Sequence, residues 1–187
     1  DPAFGRDGRW VAGSTGDDQA LDALEVRSAD GRPDGYLVVG YASQGDGDFA
    51  GCHHHGKSDV ALARLTPAGR LDRSFGQGGL RLYGGSNDDE VLVHLYNYSE
   101  PGDRLMQTAG GFLVAAMTRS ADGDLAGIAT IGHAEARDAM IFKIDSRGEF
   151  TPDFADRGIL RIGTTPGQRI GPRQPNNFLF SIKRDPA

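Results

Sequence analysis

The chain has 187 residues, enough for one ordinary domain or for two to three repeat units that share a core. Glycine supplies 28 of the 187 residues, about 15%, where an average protein has about 7%, so many tight turns are expected. The 26 acidic and 20 basic residues give a formal net charge of -6 without a concentrated basic face, which argues against nucleic acid as a partner. No apolar run approaches the roughly 18 residues of a membrane span, and the single cysteine, Cys52, excludes an internal disulfide framework.

Short strands are predicted along the chain, and long periodic helical patterns are absent. Each apolar stretch of four to nine residues ends at Gly, Pro, Asp or Asn. Both faces of the stretch 60–65 are fairly apolar, as expected for a sheet packed between two neighbours. The predicted strands fall into two sets of four: 20–27, 36–43, 60–65 and 80–83, then 91–98, 112–118, 140–144 and 159–162.

The second set of strands repeats the sequence of the first. Asp46-Gly47-Asp48 returns as Asp122-Gly123-Asp124, 76 positions later, and the run 35–40 returns with the same spacing. The strand 59–65 returns as 138–144, now 79 positions later, because three residues are inserted before it. Self-similarity of this kind is typical of stacked units that cannot bury their apolar faces alone.

The two ends of the chain match inner parts of the repeat. Residues 1–8 match 72–79 at a spacing of 71, and residues 177–184 resemble the start of the second set. Four short strands per unit is the content of one propeller blade. The sequence therefore predicts an all-β, β-propeller-like fold of four-stranded antiparallel blades, with two full repeats and a partial blade at each end. The predicted units are 1–16, 17–88, 89–167 and 168–187.

These motifs give the chain a family resemblance. Its repeats look like those of secreted bacterial β-propeller proteins that share an Asp-Gly-Asp-x-x-Gly-x-His motif, as in the stretch from Asp46 to Gly51. The segment 59–79 also resembles the delta-sixty repeat of bacterial surface proteins, through Leu71-Asp72-Arg73-Ser74-Phe75-Gly76. The resemblance implies a propeller in an exported protein, often part of an adhesin, a surface layer or a larger multidomain chain.

The Asp-Gly-Asp loops are the first candidate site. Two carboxylates flank a glycine that permits a sharp turn, which is how calcium is often held, and an aspartate closes each loop. The alternative is a polar hairpin turn in which Asp and Gly serve only the backbone conformation. The calcium interpretation involves Asp46, Asp48, Asp59, Asp122, Asp124 and Asp138.

Three consecutive histidines beside Cys52 form a second candidate site. Imidazole and thiolate suit zinc or copper, but neighbouring strand residues point to opposite faces, so only His53 and His55 could share one transition-metal ion. The second repeat has Ile128-Ala129-Thr130-Ile131 at these positions, so such a site would not recur. A solvated loop is the alternative.

We find no catalytic residues, since no nucleophile elbow, Ser-His-Asp order or phosphate loop is present. The leading hypothesis is a non-catalytic structural or interaction module of an exported bacterial surface assembly, extracellular or periplasmic, with calcium as its one expected cofactor. The N-terminus carries no signal-peptide pattern, so an exported form is expected to have lost its signal. Expected partners are other protein subunits or the remainder of a larger chain.

Carbohydrate is the partner in the second hypothesis, a lectin-like propeller assembled from several chains. Amphipathic rings stack on sugars at many recognition sites, and the candidates here are Trp10, Tyr83, Tyr96 and Tyr98. A third hypothesis, a hydrolase built on a propeller, has no convergent set of unrepeated residues in its favour.

Overall fold

Apolar runs punctuated by glycine turns produce two β-sheets in the part of the chain that the structure describes. The computed structural model describes residues 1–90, 104–131 and 138–163. The first sheet is antiparallel, and its strands lie side by side in chain order. They are β1 (Asp18–Arg27), β2 (Pro33–Ala42), β3 (Asp59–Leu65) and β4 (Leu80–Tyr83).

The second sheet repeats this order with a modified first strand. Two short strands, β5 (Asp89–Glu90) and β6 (Leu105–Thr108), pair with the two ends of β7 (Gly111–Thr118), where β1 alone pairs with β2. Next to β7 come β9 (Asp138–Ile144) and β10 (Ile159–Ile162), and β9 is antiparallel to both β7 and β10. A two-residue strand, β8 (Thr130–Ile131), adds a parallel pair beyond β10.

The two sheets share one register. Tyr36 faces Leu65 between β2 and β3, and the equivalent Phe112 faces Ile144 between β7 and β9. A one-turn 3₁₀ helix follows β2 at Gly47–Phe49, and another follows β7 at Gly123–Leu125. The repeat in sequence is therefore a repeat in structure.

The predicted all-β class is confirmed, and the strands 80–83 and 159–162 have the predicted bounds. The prediction of four antiparallel strands was incomplete for the second unit, because β8 is parallel to β10 and because β6 was missed. β6 has few apolar residues and turns tightly into β7 at Gly110, whose φ is 85°. The predicted strand 91–98 and unit 168–187 lie outside the described residues, and the propeller ring and unit boundaries stay predictions.

The main core lies between the sheets. One face of the first sheet packs against the face of the second that carries Val114, Met140 and Phe142, and the side chains of both sheets form a single buried cluster. Burial of these groups is the principal stabilising term of the fold. Its first-sheet members include Leu37, Val39, Val60 and Leu62.

A phenylalanine after β3 joins the two units. Phe75 is fully buried, and its ring lies against Gly148 so closely that a Cβ there would be 2.9 Å from it. Phe4, at the equivalent position 71 residues earlier, lies against Gly69 in the same way, with a Cβ distance of 2.8 Å. Phe4 is only half-buried, and its ring meets Tyr36 edge to face at 5.6 Å.

We expect Phe75→Ala to lower the free energy of unfolding by about 3–5 kcal/mol, because it empties a fully enclosed site. Phe4→Ala is the matched control and should cost about half as much or less, because part of its ring is already in water. Denaturant unfolding of both variants measures the difference. Equal losses would contradict the assignment of Phe75 to the shared core.

Candidate functional site

The Asp-Gly-Asp loop of each sheet forms hydrogen bonds with the segment that precedes that sheet. In the first unit, Asp48 N–H donates to the Gly13 carbonyl at 3.0 Å, and Gly13 N–H donates to Asp48 Oδ2 at 3.0 Å. In the second unit, Asp124 N–H donates to the Gly84 carbonyl at 2.9 Å, and Gly84 N–H donates to Asp124 Oδ2 at 3.1 Å. The two reciprocal pairs are the same contact at two successive unit boundaries.

The first aspartate of each loop adds hydrogen bonds to the same segment. Asp46 accepts the Thr15 N–H at 2.8 Å and the Thr15 hydroxyl at 2.6 Å, and these bonds lower the pKa of the Asp46 carboxyl. Asp122 accepts the Ser86 N–H at 2.7 Å, and its bonds to Ser86 lower the pKa of its carboxyl. We call these contacts of residues 46–48 with 13–15, and of 122–124 with 84–86, the inter-unit clamp.

The central glycine of each loop is required by its backbone. Gly123 has a φ of 59°, and a Cβ there would lie 2.4 Å from the Gly84 carbonyl oxygen. Gly47 has a φ of 56° and the same 2.4 Å distance to the Gly13 oxygen. A side chain at either position would both strain the turn and push the clamp apart.

We expect Gly123→Ala to destabilise the protein more than Gly110→Ala by about 1–3 kcal/mol, because only the former places a Cβ against a carbonyl. Gly110 is the matched control, since its φ is also positive, at 85°, but a Cβ there meets nothing within 4 Å. Both variants carry the left-handed strain, so the difference in denaturant unfolding isolates the clamp. Indistinguishable midpoints would contradict its contribution.

The predicted calcium ligands are thus bound largely to backbone amides. The aspartates expected to close the loops, Asp59 and Asp138, are both fully buried, and Asp138 Oδ2 instead pairs with Arg161 Nε at 2.7 Å. Among residues 1–90, 104–131 and 138–163, no three His, Cys, Asp or Glu side chains are placed to hold one ion together. These contacts support the turn interpretation, and calcium stays a prediction.

Asp59 lacks the cation that its counterpart has, because the position of Arg161 is occupied by Leu82 in the first unit. Its Oδ2 accepts the His55 N–H at 2.8 Å, whereas its Oδ1 is buried without a hydrogen-bond partner in the described part of the chain. Gly84 separates it from Asp89, and a Cβ there would lie 2.6 Å from Asp59 Oδ1 and 2.7 Å from Asp89 Oδ2. Two buried carboxyl groups therefore meet at the unit boundary.

The two carboxyl groups differ in their surroundings. Asp89 accepts hydrogen bonds from the Gly85 N–H at 2.6 Å and from the hydroxyls of Ser120 and Thr118 at 2.6 and 2.5 Å. Burial nevertheless raises the pKa of Asp89. Burial raises the pKa of Asp59 to about 6; the Asp89 charge adds to this, while the His55 amide and the charges of His54 and His55 oppose it. Asp59 accepts fewer hydrogen bonds than Asp89, so its ionised form is the less stabilised of the two.

Because the pKa of Asp59 is higher in the folded than in the unfolded chain, its contribution to stability is present below about pH 4 and is lost as the pH rises through 6. Asparagine cannot ionise, so the free energy of unfolding of the Asp59→Asn variant should not fall in this way as the pH rises. At pH 7 it should exceed that of the original chain by on the order of 2–3 kcal/mol. Denaturant unfolding at several pH values measures the effect.

Asp138→Asn is the matched control, because the equivalent carboxylate there has a cationic partner. It leaves the buried Arg161 without a counter-charge and should destabilise the protein at pH 7 by about 3–5 kcal/mol. Opposite signs at the two positions are expected. Destabilisation of both variants at neutral pH would contradict the assignment of Asp59 as an uncompensated carboxyl.

The histidine run borders a cleft between the two units. His53 and His55 are stacked with ring centroids 6.1 Å apart, and they line a cavity of about 320 Å³ with Cys52, Arg81 and Asp124. Burial raises the pKa of the Cys52 thiol. A shared transition metal stays a prediction.

The aromatic side chains proposed to stack on sugars have different positions. Tyr83 is fully buried between the units and donates its hydroxyl to the Gly148 carbonyl at 2.8 Å. Trp10 is half-buried on the outer face of the first sheet. Tyr96 and Tyr98 lie outside the described residues.

Sequence reasoning missed the partners of the Asp-Gly-Asp loops. They are the segments 13–15 and 84–86, and their signal was present: a glycine followed two residues later by a hydroxyl residue recurs at the 71-residue spacing. It also missed the burial of Asp59 against Asp89, which come from different units. The sequence pattern of one strand does not show which strands have their first residues next to each other in the folded chain.

Comparison with models of known protein families, with curated proteins and with solved structures found no match to this chain. The resemblance to secreted propeller repeats therefore rests on the motifs quoted above. Across the described residues, no helix has the length and apolar character needed to cross a membrane.

Proposed function

We propose that the chain is a non-catalytic repeat module that serves as a structural or interaction part of an exported bacterial surface protein or assembly, with its units stacked as propeller blades. The observation that carries the proposal is the inter-unit clamp, which recurs with the same atoms and nearly the same distances at two boundaries. A contact that recurs at each boundary serves stacking, whereas a catalytic site needs a unique convergence of groups.

The packing between the units supports the same proposal. The shared core contains side chains from both sheets, among them Leu62, Val114 and Phe142, so neither sheet buries its apolar face alone. Aromatic rings fix the boundary further, since Tyr83 lies 4.9 Å from Phe142 and 5.4 Å from Phe150 between ring centroids. A rigid stack suits a protein that presents a surface or spaces other domains.

The cleft between the units favours a second candidate, the carbohydrate-binding module. It brings together one guanidinium, one carboxylate, the amide of Gln77 and two imidazoles around a cavity of about 320 Å³. Sugar recognition uses convergent polar groups of this kind in a concave site. Arg81 is only partly available, because it already pairs with Glu149 at 2.6 Å.

The stacking proposal is tested by measuring whether damage in one sheet spreads to the other. Leu62→Ala empties a buried position on the first sheet, so amide hydrogen exchange of β9 in the second sheet should accelerate by at least about tenfold. Val11→Ala is the control, because Val11 is 82% exposed, and it should leave β9 unchanged. Unchanged exchange of β9 in the Leu62 variant would contradict a single stacked module.

Two further results would replace the proposal. A defined turnover that one substitution in the cleft abolishes would show an enzyme. Saturable binding of a sugar that Gln77→Ala abolishes, with β9 exchange unchanged, would establish the carbohydrate-binding candidate.

A further inference from the structure

The N-terminal segment contacts the first sheet in the same way that the end of the first unit contacts the second sheet. Gly5 N–H donates to the Ala68 carbonyl at 2.8 Å, and Gly76 N–H donates to the Arg147 carbonyl at 2.8 Å. The Phe4 and Phe75 rings cover equivalent glycines, and both segments end in an inter-unit clamp. Residues 4–15 therefore occupy the position of the outermost strand and linker of a unit stacked on the first sheet.

This segment lacks the strand that its counterpart pairs with. β4 pairs along its length with β3, whereas the equivalent residues 10–12 belong to no strand and their amides donate no hydrogen bond within the described part of the chain. The exposure of the side chains shows the same difference. Val11 is 82% exposed, whereas the equivalent Leu82 is 3% exposed.

The outer face of the first sheet is also left with a hollow. Ala61 and Ala63 stand where the second sheet has Met140 and Phe142 on its packing face. The hollow has a volume of about 80 Å³ and is lined by Trp10, Val38, Gly40, Phe49, Ala61 and Ala63. That is roughly half of the ~150 Å³ that admits a benzene molecule, so it suits an aliphatic side chain.

The observed interface shows what fills such a face. On the first sheet, Leu37, Val39, Val60 and Leu62 pack against the second, and all four are branched aliphatic residues. A sheet of the same repeat placed on residues 4–15 would bring the same positions to the hollow over Ala61 and Ala63. It would also place its third strand beside residues 10–12, as β3 lies beside β4.

We propose that the outer face of the first sheet, together with the free edge of residues 10–12, is a docking surface for three antiparallel strands of this same repeat type. The occupant completes a four-stranded unit in which residues 9–12 form the outermost strand. The proposal rests on the proposed function, since it assigns the partner of one face of the stack. Edge pairing supplies the backbone hydrogen bonds, and the aliphatic side chains supply the fit to the hollow.

Trp10, the only tryptophan in the sequence, reports on this surface because it lines the hollow. The test is an extended chain in which a second copy of residues 18–71 precedes Asp1, which continues the repeat in register because residue 1 is equivalent to residue 72. We expect quenching of Trp10 fluorescence by acrylamide to fall severalfold and amide exchange at Val11 to slow by about a hundredfold.

The matched control is the same extended chain with Val39→Asp and Leu62→Asp in the added copy alone. These positions face the neighbouring sheet in the observed interface, so charged groups there should prevent docking and leave Trp10 as accessible as in the original chain. Equal quenching and exchange in both extended chains would overturn the proposal. Protection of Trp10 in the original chain as a dimer forms, with exchange at Val11 still fast, would also overturn it, because a second copy would then cover the hollow without pairing with the free edge.

Exchange of the β9 amides in the same samples separates this proposal from the proposed function. An accessible Trp10 with β9 still protected overturns the docking surface alone. Fast exchange of the β9 amides in the original chain would instead contradict the stacked module itself.

Discussion

The reciprocal hydrogen bonds between an Asp-Gly-Asp loop and the glycine that precedes its sheet are the contact on which the arrangement of units depends. Each loop offers an N–H and a carboxylate to the carbonyl and N–H of Gly13 or Gly84. The turn must therefore pass within van der Waals distance of the preceding chain, which only a residue without a Cβ permits. The apolar side chains supply most of the stabilisation, but this contact fixes where one unit lies relative to the next.

The two units differ where their neighbours differ. Met140 and Phe142 fill the space between the sheets, whereas Ala61 and Ala63 leave a hollow on the outer face. The same divergence is found for charge. Asp138 has Arg161 as its counter-ion, while Asp59 has Leu82 at the position equivalent to Arg161 and lies near the carboxyl group of Asp89 across the boundary. Each repeat thus keeps the backbone contacts and adapts its side chains to the face that it meets.

Strand positions were predictable because each strand is a short apolar run that ends at a turn residue. β4 and β10 were located to the residue for this reason. β6 was not, since Leu105–Thr108 carries little apolar signal and is held by its hairpin to β7. The parallel pairing of β8 could not be predicted from local sequence either, because it joins Thr130 to Arg161 across a large separation in sequence.

The sequence by itself determined the repeat, its spacing and the all-β class, because these depend on local periodicity and on turns that glycine makes possible. It did not determine what the carboxylates bind. An Asp-Gly-Asp turn has the same local pattern whether its oxygens meet a calcium ion or a backbone amide, and the amides lie 31 to 40 residues away in the chain. Only the tertiary structure brings those amides to the loops and two buried carboxyl groups to one boundary, because stacking decides which strand ends meet.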